Sequence, residues 1–440
     1  MNSRKQFLST IGGGLAAFPF SKILTNGYRP AEKIYNVVDF GASGDGQTPS
    51  ADAFQKAMDD AESNGGGIVM IPAGEYILEK TPLIGTNVHL KGSGNGTVLI
   101  GERTGNFRGA ALISNKGQQA SGYEGASDWS ITNLAINSPK ANGIVVTHAK
   151  NVYISNIYGI EAYHHFIDTA GLNILCENLF LTGHSGTSTF QIDSLGNAQS
   201  IWDGNEAVSP NLDGTQTKNL ILRSSIITAT AGTEGNRPRH DTSVHFHGEV
   251  SEGIILSDLI LGGATYGIYM DDGLSYSNMQ FSNITSYNPG RAVWLEPSPI
   301  RQEQLSVKGF IHQPEKTSKS ETGYRGITIH ATDKLTLSDI HLKVPEGMEC
   351  EHAIELFSCR KTELNGVKAD AKNGTGIFIS DGVLNEDEPG KYVQIHSCIL
   401  DGFEHGLTNN TQHGEVTEWG NLFIDTKNHL NGSFKSLGNK

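Results

Sequence analysis

The chain has 440 residues, 53 of them glycine, with 37% hydrophobic and 18% charged residues and a formal net charge of −14. Recurring β-branched and aromatic residues argue against a disordered chain. Glycine without a three-residue period argues against collagen, and no mature segment has the ~18–20 consecutive apolar residues of a membrane span. An acidic chain without Lys/Arg clusters is a poor partner for nucleic acid or an anionic membrane, both of which need a positive stripe.

Arg4 and Lys5 precede a short, mildly apolar run from Phe7 to Phe20, the layout of an export signal. Ser3–Leu8 is similar to a twin-arginine signal, with Lys5 where the second arginine is expected. Residues 1–30 therefore read as export signal and linker, residues 31–440 as the folded domain, and the periplasm or the exterior as the destination. From Ser50 to Glu62 the apolar residues Ala53, Phe54, Ala57, Met58 and Ala61 fall on one helical face. Gly65, Gly66 and Gly67 stop that helix, and GIVMIPAGEYIL begins a strand.

A pattern of alternating apolar residues interrupted by one Asn or Asp then recurs. The markers are Asn133, Asn156, Asn178, Asp258, Asn283 and Asp339, and the short gaps between them are 22 to 25 residues. Alternation predicts strands buried on one face, and Asn or Asp best tolerates a left-handed bend after glycine. The repeat predicts an all-β chain, a single-stranded right-handed parallel β-helix (a solenoid), with the helix capping its open end. Cys176, Cys350, Cys359 and Cys398, without a CxxC, are too few for a disulfide scaffold, though one disulfide is compatible with them.

Between the markers lie HFID (165–168), FQID (190–193), VHFH (244–247), IYMD (268–271), VWLE (293–296) and ITIH (327–330). If first and third residues point inward, the fourth positions form an outward column of Asp168, Asp193, His247, Asp271, Glu296 and His330. The second positions place Phe166, Gln191, His245, Tyr269, Trp294 and Thr328 beside it. Acids and imidazoles next to aromatic rings suggest a glycan groove, because rings stack on sugars and carboxylate pairs cleave glycosidic bonds. Arg237 and Arg239, on a glycine-bearing insertion, and Arg291 are candidates for holding sugar carboxylates. His245-x-His247 lacks a third zinc ligand at a recognisable spacing, and Asp271-Asp272-Gly273 lacks the oxygens of a calcium loop, so no metal or cofactor is expected.

NVVDFGASGDG, DAFQKAMDDA and GGGIVMIPAGEYIL resemble the start of the pectin-lyase-like β-helix superfamily. That resemblance implies an enzyme or binding protein for polysaccharides. Residues 205–300 are further similar to polygalacturonase-type hydrolases, with degenerate motifs. Asn211-Leu212-Asp213-Gly214 resembles the first block and His240-Asp241 the second, where the family has two aspartates. Tyr266 stands in place of a histidine, and Arg291 lacks the accompanying lysine. The resemblance implies Asp241 as proton donor and Asp213 as water-activating carboxylate; the outward column adds Asp271, Glu296 and His247 to the candidate catalytic set. Asp168, Asp193, His245, Tyr269, Trp294, Arg237, Arg239 and Arg291 are the candidate substrate contacts.

The leading expectation is an exported glycoside hydrolase of a plant or algal polysaccharide. A lyase, a uronate epimerase or a fructan transferase on the same fold is the alternative. A lyase would need Arg, Lys or Ca²⁺ against the sugar carboxylate, and columns without Arg or Lys favour hydrolysis of neutral sugars. A glycan-binding adhesin is the non-enzymatic alternative.

Overall fold

Left-handed bends at fixed points of a repeated sequence organise the whole molecule. In the computed structural model all six marker residues have positive φ, from 52° at Asn283 to 59° at Asn133. The structure describes residues 33–101, 111–196, 210–232, 241–297 apart from 249 and 272, 300–315, 323–381 and 391–437 apart from 413. The export segment and Arg237 and Arg239 lie outside the described residues.

Each coil contributes strands that pair in parallel with the equivalents one coil before and after. The long gaps between sequence markers close once coils are matched by register. Ser224 (φ 50°) takes the bend between Asn178 and Asp258, and Gly309 (φ 64°) the bend between Asn283 and Asp339. A second line of left-handed bends runs through Asp128, Asn151, Asn173, Asn219, Gly253, Asn278, Gln304, Lys334, Lys361 and Tyr392. In its early coils the side chains form a ladder. The Asn151 amide donates to Asp128, Asn173 to Asn151 and Asn219 to Asn173, each at 3.0 Å. Gly253 continues this line because a Cβ there would meet Asn219 Oδ1 at 2.7 Å.

Inward-pointing Ile, Leu, Val and Phe from successive coils stack into one core running from Tyr35 to Val416. Each layer buries its apolar faces only because the next layer covers them, so neighbouring coils stabilise one another. The predicted helix spans Ala51–Ser63, one residue later than expected at each end. Its expected face is fully realised: Ala53, Phe54, Ala57, Met58 and Ala61 are all buried, and Phe54 meets Tyr76 edge to face at 5.5 Å. Gly65, Gly66 and Gly67 end it at positive φ. All four cysteines are buried free thiols, so the disulfide allowed by the sequence is not formed. No helix among the described residues is long and apolar enough to cross a membrane.

Candidate active site

One sheet of the stack carries the polar column. Its strands include Ile167–Glu177, Phe190–Ile192, Thr242–Phe246, Tyr266–Met270, Val293–Leu295, Gly323–His330, Glu349–Phe357 and Thr375–Ser380. Val244, Phe246, Ile268, Met270, Val293 and Leu295 enter the core, as the alternation requires. Asp193, His247, Asp271, Glu296 and His330 follow one another on successive coils. Beside them runs a second row: Asp168, Gln191, His245, Tyr269, Trp294, Thr328 and Glu355.

Three expectations need correction. Asp168 is in register with Gln191 rather than Asp193, so it belongs to the second row, two residues off its predicted place. Phe166 lies before the strand, which starts at Ile167, and so leaves the alternation and packs into the core instead of facing outward. The columns themselves carry no arginine, but the face they form does. A bend before each strand brings Arg291 onto the same face, with its guanidinium 3.9 Å from the centre of the Trp294 ring and 3.4 Å from Thr328 Oγ1.

The face is enclosed rather than open. Asp168 is 9% exposed, Asp193 5%, His245 0%, Tyr269 1%, Trp294 8% and Glu296 8%. Tyr266, Tyr269 and Trp294 form an aromatic cluster separate from the main core. His245 stacks on Tyr269 at 5.4 Å, which stands 5.1 Å from Trp294.

Charge concentrates around His247. Its Nδ1 lies 3.1 Å from Asp193 Oδ1 on the preceding coil, and His245 Nε2, two residues earlier in the same segment, lies 3.3 Å from Asp271 Oδ1 on the following one. Asp193 also accepts from the Ser194 N–H at 2.7 Å and from Gln191 Nε2 at 2.9 Å. Gln191 Oε1 in turn accepts from Ser188 Oγ, which contacts His165 Nδ1 at 2.9 Å. Burial alone would lower the pKa of His247, but the Asp193, Asp271 and Asp168 carboxylates outweigh it and raise it to about 9. Burial, and then the neighbouring Asp193, push Asp168 well above the carboxylate range. Burial drives His165 well below the ordinary histidine value.

Of the two aspartates named by the polygalacturonase comparison, Asp213 lies in a turn and Asp241 directly precedes the strand that carries His245. Asp213 fixes a turn, accepting from Gly122 N–H at 2.8 Å, Thr215 N–H at 3.0 Å and Thr215 Oγ1 at 2.5 Å. Burial pulls its pKa up, but these hydrogen bonds hold it below the usual range. Asp241 is 1% exposed at the start of its strand, where Oδ2 accepts from Thr265 Oγ1 at 2.5 Å. None of these hydrogen bonds joins either residue to the His247 cluster. No group of three or more His, Cys, Asp and Glu that could hold a metal occurs among the described residues.

Sequence reasoning passed over Gln191 as a partner of Asp193 and stopped the column at His330. The pattern continues in Ile354-Glu355-Leu356-Phe357, where Glu355 accepts from Thr328 at 2.7 Å and lies 2.6 Å from His352 Nδ1. Burial would raise the pKa of Glu355, but His352, Thr328 and Arg325 together bring it below the usual value.

Residues 34–209 match the family model described as "Rhamnogalacturonase A/epimerase, pectate lyase-like". Probable rhamnogalacturonase E of Aspergillus flavus is 25% identical over 400 aligned residues, covering 79% of this chain and 81% of that one. Alginate lyase 7 of Azotobacter vinelandii is 44% identical over 73 residues, 15% of this chain and only 8% of that protein's length. Among solved structures, PfbA, a surface adhesin of Streptococcus pneumoniae, superimposes with a TM-score of 0.58 at 15% identity, covering 90% of this chain and 93% of that one. The stacked coils and the superposition show a right-handed parallel β-helix, and over residues 34–209 the chain is similar to the pectate-lyase-like rhamnogalacturonase/epimerase family.

Proposed function

We propose that the protein is an exported carbohydrate-active enzyme that hydrolyses glycosidic bonds of a plant or algal polysaccharide. One observation carries this reading: two carboxyl groups, Asp168 and Asp193, share one enclosed face that also carries the His247 ring. Burial and the neighbouring Asp193 raise the pKa of Asp168 and so favour its protonated form, whereas Asp193 faces the His247 ring. A pair separated in this way supplies an acid and a base. Asp168 gives its proton to the leaving glycosidic oxygen. Asp193 takes a proton from water, and the resulting hydroxyl adds to the anomeric carbon. One strand spacing plus a two-residue offset separates the two backbones by about 8 Å. Arg291 and the His247 imidazolium add positive charge to the face and shift the expected substrate from neutral to acidic sugars.

Those same cations favour a second reading, proton abstraction beside a uronate carboxylate, as in a lyase or C5-epimerase. Digestion of a panel of acidic and neutral polysaccharides separates them. Hydrolysis releases reducing ends without ultraviolet-absorbing unsaturated uronides, and is lost in Asp168→Asn and Asp193→Asn. Unsaturated products, or solvent deuterium entering an otherwise intact polymer, would overturn the hydrolase.

A further inference from the structure

A different face of the stack carries a row of side chains that takes no part in the acid cluster. From Ala135 onward its members lie two residues past the marker bends, so that Tyr158 follows Asn156 and Ile260 follows Asp258. Each member is in register with the next, from Asp45 through Phe180 and Ile226 to Lys368. The row opens with two exposed acids, Asp45 and Glu75, and its far end holds the exposed His341 and Lys368. The eight members between them, from Val98 to Ile311, carry no charge, and all but Thr285 are apolar or aromatic.

Stacking on one another does not remove these side chains from water. Phe180 is 36% exposed, Ile260 40% and Ile311 37%, and beside the row Ile160 is 47% and Tyr287 38% exposed. Scattered apolar residues are ordinary on a surface, but an unbroken row about 34 Å long marks a contact site. The charges at its two ends identify what covers it. Turning a second copy over about an axis along the strands, midway between Phe180 and Ile226, lays the row on itself in reverse. Phe180 then faces Ile226 of the other copy, Tyr158 faces Ile260, and Val98 faces Ile311. At both ends acid meets base, Glu75 against His341 and Asp45 against Lys368. A chain with a net charge of −14 repels its own kind over most of its surface, and this row is built to escape that repulsion.

We propose that this row is the interface of a symmetric homodimer in which two copies pack face to face with their stacks antiparallel. Twelve layers by three residues along the strand measure about 53 Å by about 10 Å. Each copy therefore covers roughly 500 Å², near the lower limit of a specific interface, and the dimer forms reversibly at micromolar concentrations. Ile399 and Leu422 continue the row beyond Lys368 and lie past the end of the overlap.

The test is analytical ultracentrifugation of the full chain from micromolar to near-millimolar concentration, with thermal melts to confirm that each variant folds. Ile226→Asp places a charge at the centre of the interface and should weaken dimerisation at least tenfold. Glu75→Lys and His341→Glu each set like charges against one another twice in the symmetric dimer, and should weaken it by roughly fivefold to tenfold. The double variant Glu75→Lys/His341→Glu restores opposite charges and should dimerise at least as well as the wild type. A wild-type chain that stays monomeric throughout, or a dimer indifferent to Ile226→Asp, would overturn the proposal. So would a double variant no better than the single ones, because recovery requires the antiparallel register. A monomer that instead binds phosphatidylcholine vesicles, and loses that binding in Ile226→Asp, would overturn it in favour of a membrane.

Discussion

Asp193 and His247 are 54 residues apart in the chain, yet they occupy adjacent coils with 3.1 Å between Oδ1 and Nδ1. Asp193 is the first-ranked of the three carboxylates that raise His247 to about 9. In Asp193→Asn the His247 titration, followed by ring-proton NMR, should fall toward the ordinary value of 6.5. Catalysis should drop by about 10²–10⁴-fold, the range for a positioned proton-transfer group. A midpoint still near 9 would show that the other carboxylates suffice.

The same shift predicts how stability varies with pH. A histidine whose folded pKa is raised stabilises fully below its unfolded value, here 6.5, and loses that contribution as pH rises through about 9. Asp168 is also raised, so its ionisation likewise opposes folding as pH climbs. Urea denaturation at about pH 6 and about pH 10 should show lower stability at the alkaline end. Asp168→Asn, which stays neutral, should flatten the slope. A steeper slope in that variant would contradict the assignment.

The left-handed bends can be improved. Tyr392 (φ 60°) and Lys334 (φ 58°) hold a conformation that costs most side chains roughly 1–2 kcal/mol, and Tyr392 is 58% exposed. Tyr392→Asn and Lys334→Asn should each stabilise the protein by about 1 kcal/mol in chemical denaturation. Asn173→Ala should destabilise it by about 1–3 kcal/mol, losing both the favoured bend and two ladder hydrogen bonds.

The helical cap should matter out of proportion to its size. Phe54 is fully buried against Tyr76. Phe54→Ala should cost about 3–5 kcal/mol by thermal or urea unfolding. A change below about 1 kcal/mol would mean that the first coil is stable without its cover.

The bends explain why the fold was readable and where the reading ran thin. Where Asn or Asp occupied the turn, as at Asn133 or Asp258, residue type and conformation coincided and the period could be counted. Where Ser224 or Gly309 took that place, the coil was invisible and only a long gap remained. The second line of bends left no trace beyond Asn278, because neighbouring coils impose the conformation on Gln304, Lys334, Lys361 and Tyr392 against their preference.

The site was legible in part for the same reason. Alternation placed Asp193, His247, Asp271 and Glu296 correctly, since each sits one residue after a core position. It failed at Asp168, where His165-Phe166-Ile167-Asp168 looks like the other four-residue strands but enters the sheet two residues out of step. Asp213 and Asp241 came from motif similarity rather than from alternation; the first bonds to Thr215 within a turn, the second to Thr265 of the following coil. No local pattern could reveal enclosure, because what lies over a sheet is decided by distant segments.

Stacking coils at a fixed interval has a lasting effect on what this scaffold can evolve. Groups on the polar sheet can move toward or away from one another along the axis only in whole layers, so a reacting pair is retuned by gaining or losing a layer, or by swapping residues between layers. Finer adjustment is left to pairs drawn from the two rows, such as Asp168 and Asp193, whose two-residue offset along the strand gives a diagonal spacing that no whole number of layers can produce.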